Sequence, residues 1–144
     1  MALLYHWRKE SYQDNMAEYD FEDDALSLTS NSNRWRDAET DEWCFAFTRR
    51  DDGVYVLVAS YQIEEVLEYP DEDSKYHAYS VEGTTNLYDP LLGEDIEPLI
   101  RSFPISLKNR LLGRNFQGLA AVKSIAIKGE CALHLFADKQ PLLE

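Results

Sequence analysis

The feature that most constrains this chain is Asp51-Asp52-Gly53, set between Trp43-Cys-Phe-Ala-Phe-Thr-Arg-Arg and Val54-Tyr-Val-Leu-Val-Ala-Ser-Tyr-Gln-Ile. Asp-Gly between two runs rich in aromatic and β-branched residues is a hairpin signature, because the turn requires a positive φ that glycine adopts without strain. From Val54 to Ala59 the second run is too apolar to leave one face in water. That predicts a strand placed centrally in a sheet or barrel.

The remaining elements are placed around this hairpin. Residues 2–7 form a short apolar and aromatic run suited to a strand, and residues 10–24 read as an irregular segment or a short helix pinned by Tyr12, Tyr19 and Phe21. Residues 27–40 collect Ser, Asn, Thr and Asp around Arg34, Trp35 and Arg36, a composition whose side chains compete for backbone hydrogen bonds and predicts loop. Pro70 and Asp71-Glu72-Asp73 mark a break, after which residues 76–81 predict a further strand of a meander. Asp95 can cap a helix over residues 96–103, with Pro98 in its first turn and Pro104 at its end. Residues 113–118 carry two glycines around Phe116 and predict a turn-rich loop ahead of two short apolar runs, 119–122 and 124–127. Residues 130–137 read as a helix with Leu133, Phe136 and Ala137 toward the core, or as a strand, since the run is short. A length of 144 residues suits one domain over 1–144, with no internal repeat.

Charge is split by position. Residues 1–98 hold 24 of the 27 acids but only 7 of the 14 Lys and Arg, whereas residues 99–129 hold Arg101, Lys108, Arg110, Arg114, Lys123 and Lys128 with no acid. A net charge of −13 argues against a polyanionic partner, yet a local basic surface on an acidic body can still meet phosphate at short range. No apolar run reaches the roughly 20 residues of a membrane span, and the first residues lack a secretory pattern, so a cytoplasmic protein without membrane partners is expected. Cys44 and Cys131 lie in largely apolar surroundings and are expected as buried, reduced thiols. His6, His77 and His134 are far apart and belong to no metal motif, so neither metal nor cofactor is expected. The acidic runs read as solvated surface, and neither a nucleophile elbow nor a phosphate loop is present. No catalysis is expected.

The aromatic residues carry the functional reading. Tyr5, Trp7, Trp35 and Trp43 fall in the first third of the chain, and Trp35 sits in a polar segment between two arginines. Aromatic faces hold unpaired bases by stacking, each worth about 1 to 3 kcal/mol, with arginines nearby to meet phosphate. The plainer alternative makes Trp7 and Trp43 core residues and Trp35 a loop cap.

Four stretches carry a resemblance: Leu4-Tyr-His-Trp-Arg with Tyr12 downstream, Trp43 through Ala59, Asp95-Ile-Glu-Pro-Leu-Ile-Arg, and Gly113-Arg-Asn-Phe-Gln-Gly. Together they resemble a bacterial module sometimes joined to HNH-type nuclease domains, and their order is similar to the PUA-like group that includes EVE and YTH domains. The resemblance implies an α+β fold: a bent antiparallel β-barrel or strongly curved sheet with peripheral helices. It also implies a module of bacterial defence that reads a modified base in an aromatic pocket and leaves cutting to a separate domain. Tyr5, Trp7 and Trp43 would line the pocket, with Arg114 and Asn115 near its rim. The competing reading is an acidic protein-binding module, such as an immunity protein, antitoxin or nucleic-acid mimic, that covers a basic partner. Carboxylates interleaved with tyrosines over residues 10–24 and 64–73 suit such a surface.

Overall fold

In the computed structural model, which describes residues 1–19 and 26–143, one long strand organises the chain. This strand, β4, runs Tyr55–Glu68, and its 14 residues span roughly 45 Å at about 3.3 Å each. Its first half pairs antiparallel with β3 (Trp43–Arg49), and its second half with β5 (Tyr76–Ser80). Gly53, at φ +88°, closes the predicted hairpin between β3 and β4. Two register shifts bend β4. Ala46 faces Ala59 while Phe47 faces Leu57, and Ile63 faces Ser80 while Glu65 faces Tyr79, so Val58 and Glu64 are the extra residues. Such bulges bend a strand and increase its twist.

The full sheet has seven strands, in the order β2 (Ser27–Ser30), β5, β4, β3, β1 (Ala2–His6) and β7 (Val122–Ile125). β6 (Asn86–Leu87) pairs separately with β4. The fold is α+β, with few helices beside this sheet. The expectation of a wholly antiparallel sheet is corrected: β1 runs parallel to β3, with Ala2 facing Trp43 and His6 facing Phe47. Nor is the sheet closed into a barrel. β2 and β7 are the two ends of the strand order and do not pair.

Alternation along β1 and β3 sends side chains to two cores. Leu3, Tyr5, Trp7, Cys44 and Ala46 share the inner core with Leu28 of β2, Ala78 of β5, and Val58, Tyr61 and Ile63 of β4. Residues from both ends of the strand order meet in this cluster, so the sheet curls around it. Small residues at Cys44, Ala46, Ala59 and Ala78 leave room inside the curl for Tyr5, Tyr61, Trp7 and Trp35. On the outer face, Leu4, Phe45, Phe47, Tyr55 and Leu57 are covered by α3 (Glu97–Arg101), α4 (Ile127–Asp138) and the residues around Leu112 and Phe116.

Local chemistry explains the helices. The predicted capping bond forms, Asp95 Oδ1 accepting from the Glu97 backbone N–H at 2.9 Å, but α3 covers only Glu97–Arg101 of the predicted 96–103 and Ile96 stands between Asp95 and the helix. Helix α4 settles the late segment as helical, with Leu133 and Ala137 buried and Phe136 half-buried on the sheet side. Helix α1 (Lys9–Glu18) forms in the acid-rich segment, whose residues 20–24 lie outside the described ones. The predicted loop over 27–40 is corrected: it holds strand β2 and a single helical turn, α2 (Asn33–Arg36), whose Ser32 hydroxyl accepts from the Arg34 N–H. A second correction concerns the thiols, since Cys44 is buried but Cys131 is exposed; both are free. No helix among the described residues is long and apolar enough to cross a membrane.

Candidate ligand site at the open seam

Because β2 and β7 do not pair, the curl leaves a seam, and side chains bridge it where backbone does not. Tyr5 reaches from β1 to donate its hydroxyl to the Thr29 carbonyl of β2 at 2.9 Å. Beneath it, Trp35 stacks on the Tyr5 ring with centroids 5.6 Å apart and planes 15° apart, and donates Nε1–H to the Leu28 carbonyl at 2.7 Å. Burial raises the Tyr5 pKa, which keeps the hydroxyl a donor at neutral pH. Two aromatic side chains thus donate to consecutive backbone carbonyls of β2.

The seam holds a hollow of about 640 Å³. Tyr5 contributes from β1 and Trp7 from just beyond it, Ser11 and Asn15 from α1, residues 27–31 from β2 and its end, Ser74 and His77 from the β5 side, and Phe116, Gln117, Gly118 and Ala121 from the facing loop. In a chain with 27 acids, none of the described lining residues is Asp or Glu, and the only Lys or Arg among the described ones is Arg8. Besides the Arg8 guanidinium, hydroxyls, amides and imidazoles make up its polar side chains.

A second hollow, of about 450 Å³, adjoins the first, since His6 and Arg8 line both. It is charged: Arg8, Lys9, Arg49 and Arg50 face Glu10, Asp51 and Asp52. Lys9 is paired with Asp51. Arg50 is held by Asp52 at 2.9 Å and by the carbonyls of Pro90, Leu91 and Gly93. Arg8 and Arg49 form no ion pair among the described residues, and the Arg49 guanidinium lies 6.0 Å from the centre of the Tyr55 ring.

His6 stands between the hollows. Its ring packs on Phe47 at 5.1 Å and edge-on to Tyr55 at 5.9 Å, and neither of its buried ring nitrogens has a hydrogen-bond partner among the described residues. Burial first, then the Arg8 charge, pushes its pKa down to about 4, so it is neutral at pH 7. The backbone of Gly113 lies against this ring: a Cβ there would come 2.7 Å from His6 Cε1. The Gly113 N–H donates to the Tyr55 hydroxyl at 3.0 Å.

The residues singled out in the sequence are only partly brought together. Tyr5 and Trp7 line the seam hollow, whereas Trp35 is 0% exposed and supports it from below. Trp43 lies half-buried on the outer face, edge-on to His134 at 5.0 Å and beside Phe45. Arg114 is exposed and lines neither hollow. Asn115 clamps its own turn, accepting from the Asn109 N–H and donating to the carbonyls of Asn109, Leu111 and Leu112. The late cations do not gather at the seam. Arg101 bonds Glu97 at 2.7 Å and the Arg110 carbonyl, and Lys123 lies over the Phe116 ring at 5.2 Å.

The residues that sequence reasoning missed are Arg8, Arg49 and the polar wall of β2. Arg8 lies two residues beyond one strand and Arg49 ends another, and parallel pairing brings both to the same end of the sheet. Among the described residues no three His, Cys, Asp or Glu gather to hold a metal ion. No family model matches the chain, and no curated protein matches its sequence.

Proposed function

We propose that this chain is a nucleic-acid-binding module that takes a base, modified or not, into the seam hollow and performs no catalysis of its own. The observation that carries the reading is a polar hollow whose described lining residues include no carboxylate, on a chain of net charge −13. Its volume falls within the range of about 300 to 1,000 Å³ typical of small-molecule sites. Tyr5, 9% exposed, offers an aromatic edge between the nearly buried rings of Trp7 and Phe116, while Asn15, Asn31 and Gln117 are exposed and offer donors and acceptors to a base edge. The curled, open sheet is part of the same proposal, as a relative of the bent PUA-like barrel opened at β2 and β7. Debye screening over about 8 Å at physiological salt lets such a site act on an acidic body.

Titration of intrinsic tryptophan fluorescence with single-stranded and duplex oligonucleotides, with and without modified bases, tests this reading. Binding is expected to weaken with salt and to drop several-fold in Gln117→Ala, with Arg114→Ala as an unaffected control. Absence of binding to every oligonucleotide at low salt overturns it.

A separate observation favours a second reading. On the arm formed by β4 and β5, Glu64, Glu65, Glu68, Asp71, Glu72 and Asp73 are all exposed, and Leu67 is 39% exposed among them. Such a surface suits a basic protein partner. Recovery of a basic protein in a pull-down, lost in Glu65→Lys, together with inert oligonucleotides, supports this alternative.

A further inference from the structure

We propose that the second hollow is a phosphate site, in which Arg8 and Arg49 hold the phosphate of the nucleotide whose base enters the seam. The ligand class is then a nucleotide, not a free base or nucleoside. This deepens the base-reading proposal and rests on it for the base, while the oxyanion site stands on its own observations.

The first observation is positional. In the parallel register of β1 and β3, His6 faces Phe47 at the end of the pairing, and Arg8 and Arg49 each lie two residues beyond that pair. Two strands leaving the sheet at the same end therefore deliver two guanidinium groups to one hollow, which both line.

The second is the pattern of pairing. Asp51 and Asp52 are taken by Lys9 and Arg50, and Arg50 is further fixed by three backbone carbonyls. That leaves Arg8 and Arg49 against a single carboxylate without an ion pair among the described residues, Glu10. Two guanidinium groups without ion pairs that line one hollow repel each other, and an anion of two charges relieves that repulsion while accepting from both forks.

The third is connection. His6 and Arg8 line both hollows, so a ligand spanning them passes over the imidazole with its base on one side and its phosphate on the other.

Calorimetry on the full chain tests this with three probes: a nucleoside, the matching nucleoside monophosphate, and inorganic phosphate. The monophosphate is expected to bind roughly tenfold to hundredfold tighter than the nucleoside, as charge-assisted hydrogen bonds imply. That advantage should vanish in Arg49→Ala and Arg8→Ala, persist in part in Arg49→Lys, and grow in Glu10→Gln. Arg114→Ala serves as the control, and thermal midpoints confirm that the variants fold.

Equal affinity for nucleoside and monophosphate overturns the phosphate site while leaving the base reading intact. Inorganic phosphate bound in an Arg49-dependent way, with no gain from an attached nucleoside, supports the oxyanion site and sinks the base reading. Silence from all three probes overturns both.

Discussion

The two hollows share His6 and Arg8 but are built by opposite means. The seam hollow is shaped by packing, with the Tyr5 ring resting on a wholly buried Trp35 and edge carbonyls closed by aromatic donors. The second hollow is shaped by charge on exposed side chains at a strand end and a hairpin turn. A packed wall cannot be altered without disturbing the core, whereas a charged rim can be changed residue by residue. Stability measurements should therefore separate them.

The largest effect is expected beneath the seam. Trp35→Ala removes a fully buried indole and its bond to the Leu28 carbonyl, which should cost about 3 to 5 kcal/mol in urea denaturation. A cost below about 1 kcal/mol would show that the seam is not held by its core.

Next comes the residue between the hollows. His6 has its pKa lowered to about 4 in the folded chain against 6.5 when free, so below pH 6.5 the unfolded chain takes up a proton that the folded one refuses. The stability contribution is complete above pH 6.5 and is lost as pH falls toward 4, by on the order of 3 kcal/mol. Denaturation across that window should slope steeply in the parent chain and flatten in His6→Leu. An unchanged slope would assign it to other groups.

A smaller loss is expected at the glycine behind His6. Gly113→Ala sets a methyl 2.7 Å from the imidazole and should destabilise by roughly 1 to 3 kcal/mol, with displaced His6 ring signals in proton NMR. Smallest of all are Arg8→Ala and Arg49→Ala. Exposed and without ion pairs among the described residues, both should leave the thermal midpoint unchanged. A drop at either would mean that the charged rim also serves the fold.

Much of the sheet was legible because its signals are local. Asp-Gly at the β3–β4 turn, the apolar first half of β4 and the Asp95 cap each act within a few residues of themselves. β2 was hidden by its composition. Ser27 and Thr29 look like loop residues because they are polar, and they are polar because they face a water-accessible hollow. Trp35 was misjudged for the same reason: its neighbours are exposed or half-buried, while its own ring fills the inside of the curl. Arg8 and Arg49 meet only through the parallel pairing of strands about forty positions apart. No short window of sequence records that.

The contrast between the two thiols has a practical side. Cys44 is sealed under the sheet, where burial drives its ionisation far from the working range, while Cys131 projects from the helix that backs the outer face. A maleimide reagent therefore finds one point of attachment, on the side of the molecule turned away from the seam. Tethered to a sensor chip through that sulfur, the protein would present its opening to solution in one orientation.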